Sequence, residues 1–191
     1  MNREFKDALE DSPVIAAIKD DNGLKECLKS DIQVVFILYG DICNIADIVD
    51  TVKQAGKMAL VHLDLINGLP GETHEMMVEN VRRCVTDNEI DGIKLHLLHL
   101  MTNTRMQRDY HEGRLQLMSQ EEYVKVICDQ LEIIPKHIVI HRITGDAPRD
   151  MLIGPMWSLN KWEVLNAIET EMRRRGSTQG CKLEEKESAN A

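Results

Sequence analysis

The sequence predicts an α/β fold, a partial TIM-barrel-like (βα) sheet of about five parallel strands with outer helices. Three observations carry this reading. Short β-branched runs alternate with helical patterns along the chain, the order that builds βα units. The crossovers of such units are almost always right-handed, so consecutive units curl in the same sense. The chain has 191 residues, fewer than the ~250 typical of a closed eight-stranded barrel.

The elements follow in order. A short amphipathic helix around residues 5–9 precedes the first run, 13–18 (PVIAAI), and further runs lie at 34–39, 58–66, 90–98 and 138–143. Helical stretches fill the intervals at 24–28, 45–54, 75–85 and 121–133, and a long one closes the series at 159–175. In the fourth stretch Val124, Ile127, Cys128 and Leu131 repeat at the i, i+3, i+4, i+7 spacing of a buried stripe. In the last helix Trp162, Leu165, Ile168 and Met172 are expected on one face. Arg173, Arg174 and Arg175 suit its C-terminal dipole, and Gly176 is its stop. Thr73 and Ser119 read as N-caps, the second reinforced by Glu121 and Glu122.

Composition narrows the function. There are 23 basic and 32 acidic residues, for a net charge of −9, which argues against broad, sequence-blind binding to nucleic acid or an anionic membrane. The longest apolar runs fall far short of the ~20 residues that span a bilayer, and the charged start MNREFKDALEDS has no signal-peptide core. A cytoplasmic protein with no membrane partner is expected. The five cysteines, Cys27, Cys43, Cys84, Cys128 and Cys181, show neither CxxC nor CxxxC spacing. That excludes a zinc ribbon or a compact iron–sulfur loop and predicts reduced thiols packed as small hydrophobes. No metal site is expected, because no HExxH or comparable spacing fixes the histidines as ligands.

In parallel α/β folds ligands bind beyond the carboxyl ends of the strands. Those ends carry Lys19 and Asp20, then Asp41 and Asn44, then His62 and Asp64. The fourth run offers Lys94, His96 and His99, and the fifth ends in His141, Arg142, Thr144 and Asp146. Lys94 and Arg142 suit an anionic ligand, with ordinary salt bridges as the competing reading. His96, His99 and His141 are chemically able to act in acid–base steps. The turn from Gly68 to Glu72 leads into a helix whose free N–H groups could receive an anion, although it lacks the GxxxxGK pattern. Trp157 and Trp162 read as packing anchors, and Arg105, Arg108 and Arg114 form the best local basic stretch.

Two resemblances meet in the chain. Residues 1 to about 68, through MNREFKDALEDSPVIAAIKDD, VVFILYGDICNIADIV and GKMALVHLDLINGL, closely resemble the start of the glycerol uptake operon antiterminator proteins. That resemblance implies a TIM-barrel-like cytoplasmic regulator acting on leader mRNA in response to glycerol 3-phosphate. Its matched candidates are Lys19, Asp41, Asn44, His62 and Asp64. From about residue 67 to 180, INGLPGETHEMM, DGIKLHLLHL, MSQEEYVKVICDQLEIIP, HRITGDAPRDMLI and WSLNKWEVLNAIE look like the C-terminal part of a bacterial radical S-adenosylmethionine protein family. This second resemblance implies a six-stranded partial barrel, a [4Fe–4S] cluster and cleavage of S-adenosylmethionine to a carbon radical. Its matched cleft positions are Gly68, Glu72, Lys94, His96, His99, Arg142, Thr144 and Asp146.

The radical family's CxxxCxxC loop is replaced here by Lys19, Asp20, Asp21 and Asn22. No cofactor is therefore expected on this chain, and no radical chemistry unless a second chain brings the cysteines. The leading expectation is a hybrid: an antiterminator-like half at 1–68, a radical-SAM-like half at 69–176 packed as one domain with it, and a disordered tail at 177–191. An RNA-binding antitermination regulator is the alternative, and an inactive chimera, recombined, engineered or mis-joined, is the third reading. Expected partners are a small anion such as glycerol 3-phosphate, leader mRNA, or a second copy paired through an open strand edge.

Overall fold

The computed structural model describes residues 3–40, 43–87 and 90–183, without the side chains of 3–5, 62 and 87. Asp41, the His62 side chain and positions 184–191 of the expected tail lie outside the described residues. The chain divides into two compact units, unit 1 at 1–63 with 90–92 and unit 2 at 64–89 with 93–191.

Unit 1 holds α1 (Arg3–Asp11), β1 (Ile15–Ile18), α2 (Asp21–Lys29), β2 (Val34–Ile37), α3 (Ile45–Gln54) and the start of β3 (Met58–Asn67). The strands β1, β2 and β3 lie side by side and parallel, in register from Ile15, Val34 and Met58 to Ile18, Ile37 and Val61. Because strand side chains alternate between faces, Ile18, Val35, Ile37 and Val61 share one side. There they pack with Leu24 and Cys27 of α2 and Ile48 and Val52 of α3. Asp20 was expected at a ligand edge, but it caps α2: its backbone is extended and its carboxylate accepts the Gly23 N–H at 2.8 Å.

Unit 2 holds the end of β3, α4 (His74–Asp87), β4 (Gly92–Leu97), β5 (Leu100–Met101), α5 (Arg105–His111), α6 (Gln120–Leu131), β6 (Val139–Arg142), β7 (Leu152–Gly154), a 3-10 turn (Met156–Leu159) and α7 (Lys161–Arg175). In the strand order β3 is followed by β4 and then β6. A separate antiparallel pair joins β5 to β7, with Leu100 opposite Gly154. Neither that pair nor α5 was expected. The α5 sequence RMQRDYH carries no apolar stripe, and a two-residue strand gives no period to read.

The helix α6 is the centre of unit 2. Ser119 and Glu122 form a complete capping box, with the Ser119 N–H donating to the Glu122 carboxylate at 2.8 Å. The expected stripe is buried, and so are Tyr123, Val126 and Gln130, since α6 packs against both α4 and α7. In α7 the buried residues are Val164 and Ile168, whereas Trp162 is 77% exposed. The expected face was therefore rotated: Trp162 stands two residues before Val164, about 200° round the helix from it. Gly176 ends α7 at a φ of 64°, the left-handed stop that glycine supplies without strain.

Polar and charged side chains tie α4, α6 and α7 together. His74 Nε2 lies 2.7 Å from Asp129, and Arg175 reaches Asp129 at 2.6 Å, Glu171 at 2.8 Å and Glu132 at 3.3 Å. Lys182 pairs with Glu132 at 2.5 Å. Chain order continues past Gly176: the Gly180 and Lys182 N–H groups donate to the carbonyls of Leu131 and Glu132, both at 3.0 Å. Residues 177–183, read from sequence as the start of a disordered tail, are thus docked on the end of α6. No helix among the described residues is long and apolar enough to cross a membrane.

Candidate ligand-binding site

The site is built within unit 2 from the ends of its strands. In β4 the residues Ile93, Leu95 and Leu97 are buried, so Lys94 and His96 turn to the opposite, half-buried face. Asp64 of β3 meets both of them. Its Oδ1 lies 3.2 Å from Lys94 Nζ and 4.0 Å from His96 Nε2. His99, just beyond β4, places Nε2 3.1 Å from Ser158 Oγ. The Ser158 hydroxyl donates to the Pro155 carbonyl at 2.8 Å, so toward His99 it accepts. In the His99 tautomer that donates from Nε2 to this hydroxyl, Nδ1 is left as an acceptor.

Beyond β6, Arg142 Nη1 stands 3.8 Å from Asp146, and Lys161 at the start of α7 pairs with the same carboxylate. Between Arg142 and Asp146 lies Gly145. A Cβ added there would come within 2.9 Å of His99 Cε1 and 3.3 Å of the Nδ1 atoms of both His96 and His99. The loop is held from behind by Tyr123, whose hydroxyl donates to the Ile143 carbonyl and lies 3.4 Å from that of Leu95. The Tyr123 ring packs on Trp157 at a centroid distance of 5.4 Å, and Trp157 Nε1 donates to the Met118 carbonyl at 3.0 Å.

Electrostatics follow from this packing. Burial pushes the His96 imidazole below its usual pKa, Arg142 and Lys94 add to the shift, and Asp64 opposes it. Burial also lowers His99, with His96 adding and Asp146 opposing. The hydrogen bond from Lys161 holds the Asp146 carboxyl below the ordinary range. At neutral pH the site presents two neutral imidazoles inside a rim of three cations and two carboxylates. Such a rim attracts a small anion, and the imidazoles can accept hydrogen bonds from it.

The structure brings together Asp64, Lys94, His96, His99, Arg142 and Asp146. Thr144 is half-buried beside Gly145 in the same loop. Glu72 is engaged elsewhere: its carboxylate accepts the N–H groups of Gly68 and Leu69, both at 3.1 Å, and the Asn80 amide at 2.9 Å. The loop N–H groups of Gly68 and Leu69 are thus bonded to a carboxylate of the chain itself, and at the start of α4, where an anion was expected, the Met76 N–H donates to Thr73 Oγ1 at 3.3 Å. Lys19 and Asn44 belong to unit 1. Arg114 of the basic stretch is paired with Asp109 and Glu112. Sequence reasoning missed Gly145, Ser158, Lys161 and Tyr123 as parts of the site. Gly145 sits inside the TGD triplet, between Thr144 and Asp146.

Residues 90–174 match the Radical_SAM C-terminal domain. That span holds Lys94, His96, His99, Arg142, Gly145, Asp146, Ser158 and Lys161. The uncharacterized protein YtqA of Bacillus subtilis (strain 168) is 50% identical over 132 residues, which are 69% of this chain and 40% of that protein. Protein YhcC of Escherichia coli (strain K12) is 31% identical over 131 residues, 69% of this chain and 41% of its own. The chain therefore spans about 40% of the length of these curated relatives. The structure of the archaeal Methanocaldococcus infernus Elp3 with an N-terminal deletion superposes with a TM-score of 0.62, over 86% of this chain and 42% of that one. At 18% identity this shows a shared fold. The resemblance of the first 68 residues to antiterminators is not among what these matches show.

A [4Fe–4S] cluster is implied by the radical SAM match, but the described residues do not fit one. A cluster of that type takes thiolates from closely spaced cysteines. Here Cys27 and Cys43 belong to unit 1, while Cys84, Cys128 and Cys181 belong to unit 2. Cys27 and Cys128 are buried, and burial raises the Cys128 thiol to about 11, which keeps it protonated. No group of three His, Cys, Asp or Glu side chains among the described residues could hold a metal ion.

Proposed function

We propose that this chain supplies the C-terminal wall of a radical-SAM-type barrel, which binds a small anionic ligand at the strand ends and leaves cluster chemistry to other polypeptide. The carrying observation is the rim itself: Lys94 on Asp64, and Arg142 with Lys161 on Asp146, arranged around His96 and His99. Each ion pair is partly exposed, so an incoming anion can share its cation without first breaking a buried pair. The match of residues 90–174 supports the family part of the reading.

Calorimetric titration and thermal shift with S-adenosylmethionine and with glycerol 3-phosphate test it. At least one of the two should bind and raise the Tm, and combining Lys94→Met with Arg142→Met should remove the effect. Failure of both ligands to bind overturns the reading. Anaerobic reconstitution with iron and sulfide should leave the chain without charge-transfer absorbance. A stoichiometric cluster spectrum would refute the assignment of that chemistry elsewhere.

A further inference from the structure

We infer that the outer face of α6 and α7 is a pairing surface for a second copy of this chain, in which Trp162 of each copy seats in the trough between the same two helices of the other.

The direction of the helices comes first. Trp157, just before α7, packs on Tyr123 near the start of α6. Arg175, the last residue of α7, reaches Asp129 and Glu132 at the end of α6. The two helices therefore run parallel, with both N-termini at one end of the face. Between them lies an open trough of about 810 Å³. Val124 and Ala167 give it an apolar middle, Glu121 and Glu163 stand in the first turns, and Arg174 stands in the last turn of α7.

Trp162 supplies the knob. It is the most exposed large apolar side chain among the described residues. It lies one turn before Asn166 on the same ridge of α7, and Asn166 lines the trough. A knob and a trough on one face make that face self-complementary about a two-fold axis. Trp162 and Arg174 lie six residues to either side of Ile168, so an axis at that level brings Trp162 of one copy to Arg174 of the other. Glu171 holds the Arg174 guanidinium through two bonds, at 2.7 and 2.8 Å, which leaves its flat face for an indole ring. The same axis sets the acidic first turns of α6 and α7 over the basic last turn of α7, and helix N-termini over C-termini. A second copy is the occupant because the face itself carries the complement of each of its features.

The area makes the pair weak. The 15 residues of α7 span about 22 Å, and two helices side by side are about 20 Å wide. Such a face hides on the order of 450 Å² per copy, short of the ~800 Å² per partner of a standard interface. Pairing is therefore expected at concentrations of roughly 0.1–1 mM. In dilute protein the chain is a monomer with Trp162 open to solvent.

Sedimentation equilibrium over a concentration series up to ~1 mM tests the inference. The average mass should rise toward twice that of one chain, and Trp162→Ala should weaken the association by about tenfold or more. Ala167→Glu and Ala167→Lys should each give a monomer, because the two-fold sets like charges near one another. An equal mixture of these two variants should pair again, which a merely damaged fold would not do. A single-chain mass at every concentration overturns the inference. So does association that Trp162→Ala leaves unchanged, and its loss instead in Val139→Lys would place the contact at the exposed edge of β6. Failure of the mixed Ala167 variants to pair also overturns it.

Discussion

Asn67 and Gln130 exchange two hydrogen bonds inside unit 2, Asn67 Nδ2 to Gln130 Oε1 at 3.0 Å and Gln130 Nε2 to Asn67 Oδ1 at 2.7 Å. Asn67 is the last residue of β3 and Gln130 lies in α6, and both are buried. A third bond runs from Gln130 Nε2 to the Met77 carbonyl at 3.0 Å. The pair fixes the end of the strand that carries Asp64 to the central helix. Gln130→Ala, which strands the Asn67 amide, should lower unfolding free energy by about 2–3 kcal/mol. The double replacement Asn67→Leu with Gln130→Leu should cost less than the sum of the two single changes. Urea unfolding of these variants and the wild-type protein measures both, and strict additivity would show that the amides do not act as a pair.

Arg175 is the shared cation of three carboxylates, and its loss should be costly. The Glu132 side chain is 3% exposed, so Arg175→Met leaves a buried charge held by Lys182 and the Ser177 hydroxyl, at a cost of about 3 kcal/mol. The network also sets an acid limit. Burial acts to raise Asp129 and Glu132, yet their hydrogen bonds to basic partners bring both below the ordinary carboxylate range. Arg174 and Arg175 lower Glu171 to about 2. A depressed carboxylate contributes stability above its unfolded pKa and loses it as pH falls through the folded value. Unfolding free energy should therefore decline as the pH falls from about 4.5 toward about 2. The decline should be shallower in Arg175→Met, and chemical denaturation at stepped pH checks it.

The two site imidazoles should titrate below the usual 6.5 in NMR spectra, because burial disfavours their cations. The consequence for stability has a definite sign. Below 6.5 the unfolded chain protonates these side chains before the folded one does, so stability present above that pH is lost on acidification through the folded midpoints. Midpoints at or above 6.5 would contradict the burial that the structure shows.

The two tryptophans should behave oppositely. Trp162→Ala is expected to change stability by no more than about 0.5 kcal/mol, and Trp162 fluorescence should be freely quenched by acrylamide. Trp157→Ala removes the ring on Tyr123 and the bond to Met118, and should cost about 3 kcal/mol. Thermal or urea unfolding separates the two outcomes, and similar losses in both variants would contradict the 77% exposure of Trp162.

Those tryptophans also show how far the sequence could be read. Ser119 with Glu122, the Val124 to Leu131 stripe and Gly176 were legible because each signal lies within one or two helical turns. The polar ends of β3, β4 and β6 were legible because strand alternation and the parallel α/β rule both point there. The β5–β7 pair was not, since it joins Leu100 to Gly154 across a long intervening segment. Nor were the Lys161–Asp146 contact and the seat of Tyr123 under Ile143, which depend on where α6 and α7 come to rest. Trp162 misled because an aromatic residue at helical spacing looks the same whether the neighbouring helix covers it or stops short of it.

The Glu72 loop bears on any anion-binding experiment with this chain. Its amide groups form a receptor already occupied by a carboxylate tethered three and four residues away. A dissolved phosphate must compete there with an internal rival whose effective concentration is set by that short tether and not by the solution. The loop is self-quenched as a binding site, and titrated anions are left to report on the histidine rim.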